Sequence, residues 1–409
     1  MLNRLWIGFF LASFVACIFQ ALFFHQPDIF NSVIQAIFSA AKTAVDISIG
    51  LIGIMCLWLG IFKIAEQSRL VDILGKALSP LLCRLMPEIP KDHPAISAIT
   101  LNIAANMLGL DNAATPMGIK AMQSLQELNP RPDTASNAQI LFLVINTSSV
   151  TLLPVTIFMY RAQAGSAYPT DIFLPLLLAT GCSTLVGLLA VSLVQRINLL
   201  QPVLLAYAIG FSALLGSLAI GVHSLSNMAL SETSSLVANA TLMTFISSVI
   251  AYAAWKRLQV YELFVEGAKE GFSTAIGIIP YLVAMLVALA ALRASGLFEL
   301  AINSLAFIIK PLGLPTDFIA ALPTGLMKPF SGSGSRAMML ESFNTYGVDS
   351  LVGHMTSVMQ GSTETTFYVL AVYFGSVGIR YGRHAIACGL IADAAGITAS
   401  IIFSYLFFA

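Results

Sequence analysis

The chain has 409 residues, of which 57% are hydrophobic and 10% charged, and its formal net charge is zero. Soluble domains carry about 25% charged residues, so this composition cannot clothe a globular surface of this size in charge, and a water-soluble globule is excluded. The solvent is lipid, and the balanced charge points to no nucleic-acid partner.

Apolar runs of roughly 20 residues, the length that crosses a bilayer as a helix, lie at 5–24, 43–62, 137–160, 172–195, 202–222, 234–255, 271–292, 362–379 and 384–408, nine in all. Most carry no charge; the exceptions are Asp46, Glu364 and Asp393. The first run follows Arg4, as in a signal peptide, but it is longer than a typical h-region. Its exit "ALFFHQPD" also lacks a small-x-small cleavage site, so a retained helix is expected. The five cysteines (17, 56, 83, 182 and 388) have no CxxC or paired spacing and read as small apolar packing residues.

Two segments, 94–128 and 315–342, contain no clean span. With a cytoplasmic amino terminus, and with both segments entering and leaving on one side, thirteen Lys and Arg fall in inside loops, among them Arg131, Arg196, Arg380 and Arg383. Outside loops then hold four: Lys42, Arg161, Arg293 and Lys310. That asymmetry is the positive-inside pattern, and a single crossing by either segment would weaken it. Both are therefore expected to be re-entrant hairpins.

A repeat points the same way. An offset of 227 residues aligns Ala41-Lys42 with Ala268-Lys269, Ile49-Gly50 with Ile276-Gly277, Ile52 with Ile279, Leu59 with Leu286, Ser68 with Ser295 and Leu70 with Leu297. Each half then runs through an amphipathic stretch, a polar hairpin, a span that opens on a polar cluster ("INTSSVT", "MQGSTETT") and a closing span. Five spans separate the starts of the copies, an odd number, so the copies sit inverted; inverted repeats with interrupted helices at the midplane are a secondary-transporter architecture. The expected fold is an all-α integral membrane protein of about nine transmembrane helices and two re-entrant broken-helix hairpins. The expected division is a first helix (1–28), a first repeat (29–199), linking helices (200–260) and a second repeat (261–409).

The hairpins read "LNIAANMLGLDNAATPMGIKAM" and "ALPTGLMKPFSGSGSRAMML". Backbone can leave the helix at membrane depth only where protein or a wet cavity satisfies it, and a helix that restarts there presents free N–H groups and a positive dipole end. The second hairpin is expected to restart near Ser335-Arg336, after Gly332 and Gly334; the first breaks at Asp111-Asn112, with Thr115 and Pro116 opening the next helix. Asn102 and Asn106, four apart, share a face and offer donors and acceptors. The candidate substrate-binding set is Asn102, Asn106, Asp111, Asn112 and Thr115 facing Ser331, Gly332, Ser333, Gly334, Ser335 and Arg336, with Asn146, Ser148, Gln360, Ser362, Thr363 and Glu364 along the pathway. Interhelical bonding alone is the plainer reading of the Ser, Thr and Asn clusters, and Arg336 would then pair with Glu364 or Asp111. Asp46 lies at the end of its run, Asp393 leaves a proton-linked or a structural role open, and His354 reads as a satisfied polar group.

The stretches "AAKTAVDISIGLIGIMCLWLGIFKIAE", "HPAISAITLNIAANMLGLDNAATPMGIKAMQSLQELNP" and "SNAQILFLVINTSSVTLLP" resemble spore maturation protein A. "GAKEGFSTAIGIIPYLVAMLVALAALRASG", "LMKPFSGSGSRAMMLESFNTYGVDS" and "MQGSTETTFYVLAVYFGSVGIR" resemble spore maturation protein B, so the chain looks like a fusion of the two. The resemblance, from about residue 40 to 400, implies the nucleoside recognition or "gate" domain, which also occurs in ferrous-iron permeases and is similar to part of concentrative nucleoside transporters. It implies a membrane gate or transporter and no particular substrate. The chain departs from the iron permeases in having no GxxxxGK[ST] loop.

The expected function is an inner-membrane secondary transporter or gated permease for a small polar or anionic metabolite, nucleoside-like or carboxylate-bearing. Its partners are the bilayer and the solute, with a homo-oligomer left open. No cofactor is expected, and coupling to H⁺ or Na⁺ is open. A metal-ion permease and a non-transporting scaffold or sensor are the alternatives. An enzyme is not expected, for HExxH and GxSxG are missing and only Lys328 beside the serines resembles a Ser-Lys pair.

Overall fold

A computed structural model describes residues 2–90, 93–108, 111–148, 150–207, 209–210, 213, 217, 227–277, 279–312 and 315–409. Among these residues lie α1 (Leu2–Phe23), α2 (Ile29–Gln67), α3 (Leu70–Leu85), α4 (Pro94–Met107), α5 (Asp111–Glu127), α6 (Asn137–Thr147), α7 (Val155–Gln163) and α8 (Phe173–Gln195). The second part holds α9 (Asn227–Trp255), α10 (Val260–Gly277), α11 (Ile279–Ala294), α12 (Leu297–Ile309), α13 (Asp317–Met327), α14 (Gly332–Tyr346), α15 (Leu351–Gly361), α16 (Thr366–Ser376) and α17 (Ala385–Phe408). The described residues form no strand; one isolated bridge joins Thr134 to Tyr381.

Among the described residues, six helical stretches are long and apolar enough to cross a membrane: Trp6–Phe23, Ile29–Gln67, Phe173–Gln195, Glu232–Trp255, Val260–Ala294 and Ala385–Phe408. The chain is a multi-pass membrane protein. Large apolar side chains such as Leu193 and Phe307 lie about four-fifths exposed (79% and 80%), an exposure that lipid tolerates and water does not. Most of the run 202–222 lies outside the described residues.

Two other runs differ from expectation. Run 137–160 is two helices, α6 and α7, separated by non-helical residues, and run 362–379 begins at a break, with α15 before it and α16 after. The polar clusters therefore do not open spans; they interrupt helices. In the first case Pro154 withholds an N–H and forces its predecessor out of the helical region. Asp46 is likewise not at the end of its helix, since α2 starts at Ile29.

Helices α2 and α10 pack backbone to backbone. A Cβ added at Gly267 would stand 2.3 Å from Leu59 O, and one at Gly271 2.6 Å from Met55 O. Only glycine allows this approach, the small-xxx-small solution to helix packing in lipid. The larger cores interlock the halves. One joins α2, α7 and α8 to α11 and α14 through Trp58, Phe158, Leu176, Leu286 and Met339. The other joins α3–α6 to α16 and α17 through Ile99, Met122, Phe142, Tyr373 and Cys388.

Candidate functional site

Four helix interruptions, α4 to α5, α6 to α7, α13 to α14 and α15 to α16, are linked in series by backbone hydrogen bonds at or beside them. Unwound backbone must find partners, and these interruptions supply one another's. Leu152 N–H, in the α6–α7 break, donates to Met107 O at the end of α4 (2.8 Å). In the second half, Phe367 N–H donates to Pro329 O in the α13–α14 break (3.0 Å). The halves are then tied across their breaks by Glu364 N–H donating to Thr147 O at 2.7 Å.

Around this crossing the first half gathers amides. Asn106 Nδ2 donates to Asn146 Oδ1 (2.8 Å), and Asn146 Nδ2 donates to Phe142 O (2.9 Å). Asn102 Nδ2 donates to Ala114 O (2.7 Å) and lies 3.3 Å from Tyr373 Oη, whose hydroxyl reaches Asn146 Oδ1 at 3.4 Å. Asn102 is fully buried and its Oδ1 meets no partner. Ser148 caps the end of α6, with its hydroxyl donating to Val144 O (2.9 Å) and its carbonyl accepting from Thr184.

The second half gathers hydroxyls. Ser331 is the N-cap of α14: its Oγ accepts from Gly334 N–H at 3.0 Å and lies 3.2 Å from Ser333 Oγ. Ser335 Oγ sits between Thr324 O (2.7 Å) and Gln360 Oε1 (2.5 Å), and Gln360 Nε2 approaches Gly332 O to 3.5 Å. Arg336 holds its guanidinium over the Tyr160 ring, 5.3 Å from the centroid, a cation–π geometry. Ser362 and Thr363 are buried, whereas the Glu364 side chain is exposed.

The expected restarts shift by a few residues. Helix α14 begins at Gly332, so Ser335 closes its first turn and Arg336 lies just beyond it, because Ser331 takes the N-cap by accepting from Gly334 N–H. Helix α5 begins at Asp111, which puts the break before it and leaves Thr115, half-buried, beyond the first turn. The side chains of Asp111 and Asn112, and Ser149, lie outside the described residues. Sequence reasoning missed two tyrosines. Tyr373 of the second half reaches the amides of the first, and Tyr160 of the first half reaches Arg336 of the second; their signal was a tyrosine after each polar cluster.

Away from the crossing, a polar network joins the halves again. Arg161, fully buried, pairs with Asp171 (3.1 Å) and Asp349 (3.0 Å), and donates to Val348 O and Ser357 Oγ. His354 Nε2 lies 2.9 Å from Asp171 Oδ2 and its Nδ1 2.9 Å from Ser350 O, so the histidine is satisfied as expected. Burial tends to raise the Asp349 carboxyl, but bonds from Ser166 and Ala167 N–H and the Arg161 charge outweigh it, leaving its pKa lowered. No described group of three or more His, Cys, Asp or Glu gathers in a form that could hold a metal ion.

The Gate family, described as nucleoside recognition, matches residues 48–163 and 275–380, more than half of the chain. The chain belongs to the Gate family. The two matched Gate segments start at the same 227-residue offset as the internal repeat, and all four interruptions fall inside them. The chain is 47% identical to spore maturation protein A of Bacillus subtilis (strain 168) over 150 residues, 37% of the chain and 76% of that protein. It is 43% identical to spore maturation protein B of the same organism over 169 residues, 41% of the chain and 93% of that protein. Each relative covers part of the chain, consistent with a fusion.

Proposed function

We propose that this Gate protein is a secondary transporter or gated permease of a bacterial cytoplasmic membrane, with its amino terminus inside and its solute site at the crossing of the four interruptions. The observation that carries the reading is the bond from Glu364 N–H to Thr147 O, which joins the broken helices of the two halves. Discontinuous helices meeting between inverted repeats are how secondary transporters build a site within lipid.

The groups at the crossing favour a small polar or anionic solute. Amides at Asn102, Asn106, Asn146 and Gln360 suit a nucleoside's alternating donors and acceptors. Lys328, buried at the end of α13, and Arg336 add the positive charge a carboxylate-bearing solute requires. Uptake of radiolabelled nucleosides and dicarboxylates into proteoliposomes tests this: wild type should accumulate one class above empty vesicles, and Gln360→Ala should not. Equal counts in protein-free and protein-containing vesicles for every solute would move the protein to a scaffold or sensor role.

A further inference from the structure

His354 closes the first turn of α15, just after the segment 347–350, which belongs to the second half and lies on the first. Gly353 lets that segment close onto the helix: a Cβ there would stand 2.4 Å from both Gly347 O and Val348 O. Val348 O in turn accepts from Arg161 of the first half (3.1 Å), and the Asp349 carboxylate accepts from Arg161, Ser166 Oγ and Ala167 N–H. Whatever holds this segment in place therefore holds the two halves together.

Both ring nitrogens of His354 point at acceptors. Nε2 lies 2.9 Å from Asp171 Oδ2, and Nδ1 lies 2.9 Å from Ser350 O, the last carbonyl of the segment. A carbonyl cannot donate, and Asp171, whose other oxygen pairs with Arg161 at 3.1 Å, accepts through its carboxylate. Neutral imidazole has one N–H, so it serves one of these acceptors and turns a lone pair on the other; imidazolium donates to both. With the ring 6% exposed and stacked on Phe408, centroids 3.9 Å apart, water has little access to stand in for the missing proton. A bond left unmade in such a place costs more than one lost in water.

Among the described residues, the charged groups facing the ring are Asp171, Arg161 and Asp349. Asp349 lies within electrostatic reach, and its side chain, 39% exposed, opens the network to water. The elements packed against α15 have their other charges engaged elsewhere. Asp317 of α13 meets Tyr405, and Asp393 of α17 meets Thr366. In α14, Glu341 pairs with Arg293 beside Tyr346, and Arg336 lies over Tyr160. Helix α8 adds the Cys182 thiol and α17 the Cys388 thiol, and beyond Phe408 stands the main-chain carboxyl of Ala409.

We propose that His354 is a proton-binding site: the proton taken up at Nδ1 completes the bond to Ser350 O, pins the segment 347–350 and tightens the junction between the two halves. The junction is then tightest at acid pH and loosens as rising pH removes that proton. The site lies apart from the crossing and takes its proton whether or not the crossing carries a solute.

Thermal unfolding of the purified full-length protein in detergent, followed from about pH 5.5 to about pH 8.5, covers the range in which imidazoles titrate and ordinary carboxylates do not. The wild-type Tm is expected to fall as pH rises, with the unfolding equilibrium changing by up to about tenfold per pH unit, the limit for one proton. His354→Gln still donates to Asp171 but cannot titrate, so its Tm stays level, whereas His384→Gln does not remove the fall. Ring protonation is read directly by nitrogen NMR of a histidine-labelled chain in which His25, His93, His223 and His384 are changed to Gln, leaving His354 as the one imidazole. Below the midpoint both of its ring nitrogens carry a proton; above it only Nε2 does. The proposal is overturned if the wild-type Tm is level, if His354→Gln keeps the full fall, or if Nδ1 carries no proton down to about pH 5.5. Should His354→Gln fail to fold, the ring spectra alone decide.

Discussion

Asn146 uses both ends of its amide inside the protein, one to hold its own helix at Phe142 O and one to receive Asn106. Asn146→Leu keeps the volume but strands the Asn106 amide, so we expect a loss of about 1–3 kcal/mol, read as an earlier thermal midpoint. Arg161 is the heavier case, because its removal leaves Asp171 buried beside His354. Arg161→Met should cost about 3–5 kcal/mol in denaturant unfolding, and Arg161→Lys should not restore it, for an ammonium cannot serve both carboxylates and Val348 O as the planar fork does. Asp349 makes the network sensitive to acid. Its folded pKa lies below the ordinary value of about 3.9, so its contribution is complete above that value and is lost as pH falls through the lower folded one. Stability measured from neutral pH down to about pH 3 should therefore fall less steeply in Asp349→Asn than in wild type.

At the scale of elements, the α2–α10 contact is held by the absence of side chains. Gly271→Leu must push the two backbones apart and should cost about 1–3 kcal/mol in thermal unfolding, whereas Gly8→Ala, with no neighbour within 4 Å, should leave the midpoint in place. The motif is legible as Gly267-x-x-x-Gly271, but nothing in the sequence says that α2 is the helix that meets it. That a helix stops before Asp111 and another after Met327 was legible to within a few residues, because Gly, Asn, Ser and Pro stand out against an apolar background. The break inside 137–160 was not, since hydropathy averages over it and Pro154 alone marks its end. Helix restarts were displaced because capping depends on which of several serines finds an N–H, and only folded geometry decides among them.

For the molecule as a whole, lipid as the solvent and the 227-residue repeat were both readable from residue chemistry, and the Gate match starts at the same offset. The interlock of the halves was not, because nothing in sequence spacing says that Tyr160 and Tyr373 reach across to opposite repeats. The proposed orientation places Asp349 outside and Arg131 inside. A cysteine at 349 should therefore be labelled by a membrane-impermeant thiol reagent on intact cells and one at 131 only after permeabilisation, in a background lacking the five native cysteines; the opposite pattern would invert the topology. The claim on which the account rests is that the crossing binds a solute. The direct measurement is the Tm of the purified protein against rising concentrations of nucleosides, dicarboxylates, amino acids and sugar phosphates, in wild type, Gln360→Ala and Asn106→Ala. The account predicts that one class raises the wild-type Tm progressively and leaves both variants unmoved. If no class shifts wild type while both variants simply unfold earlier, Asn106 and Gln360 are structural partners and the crossing is not a binding site.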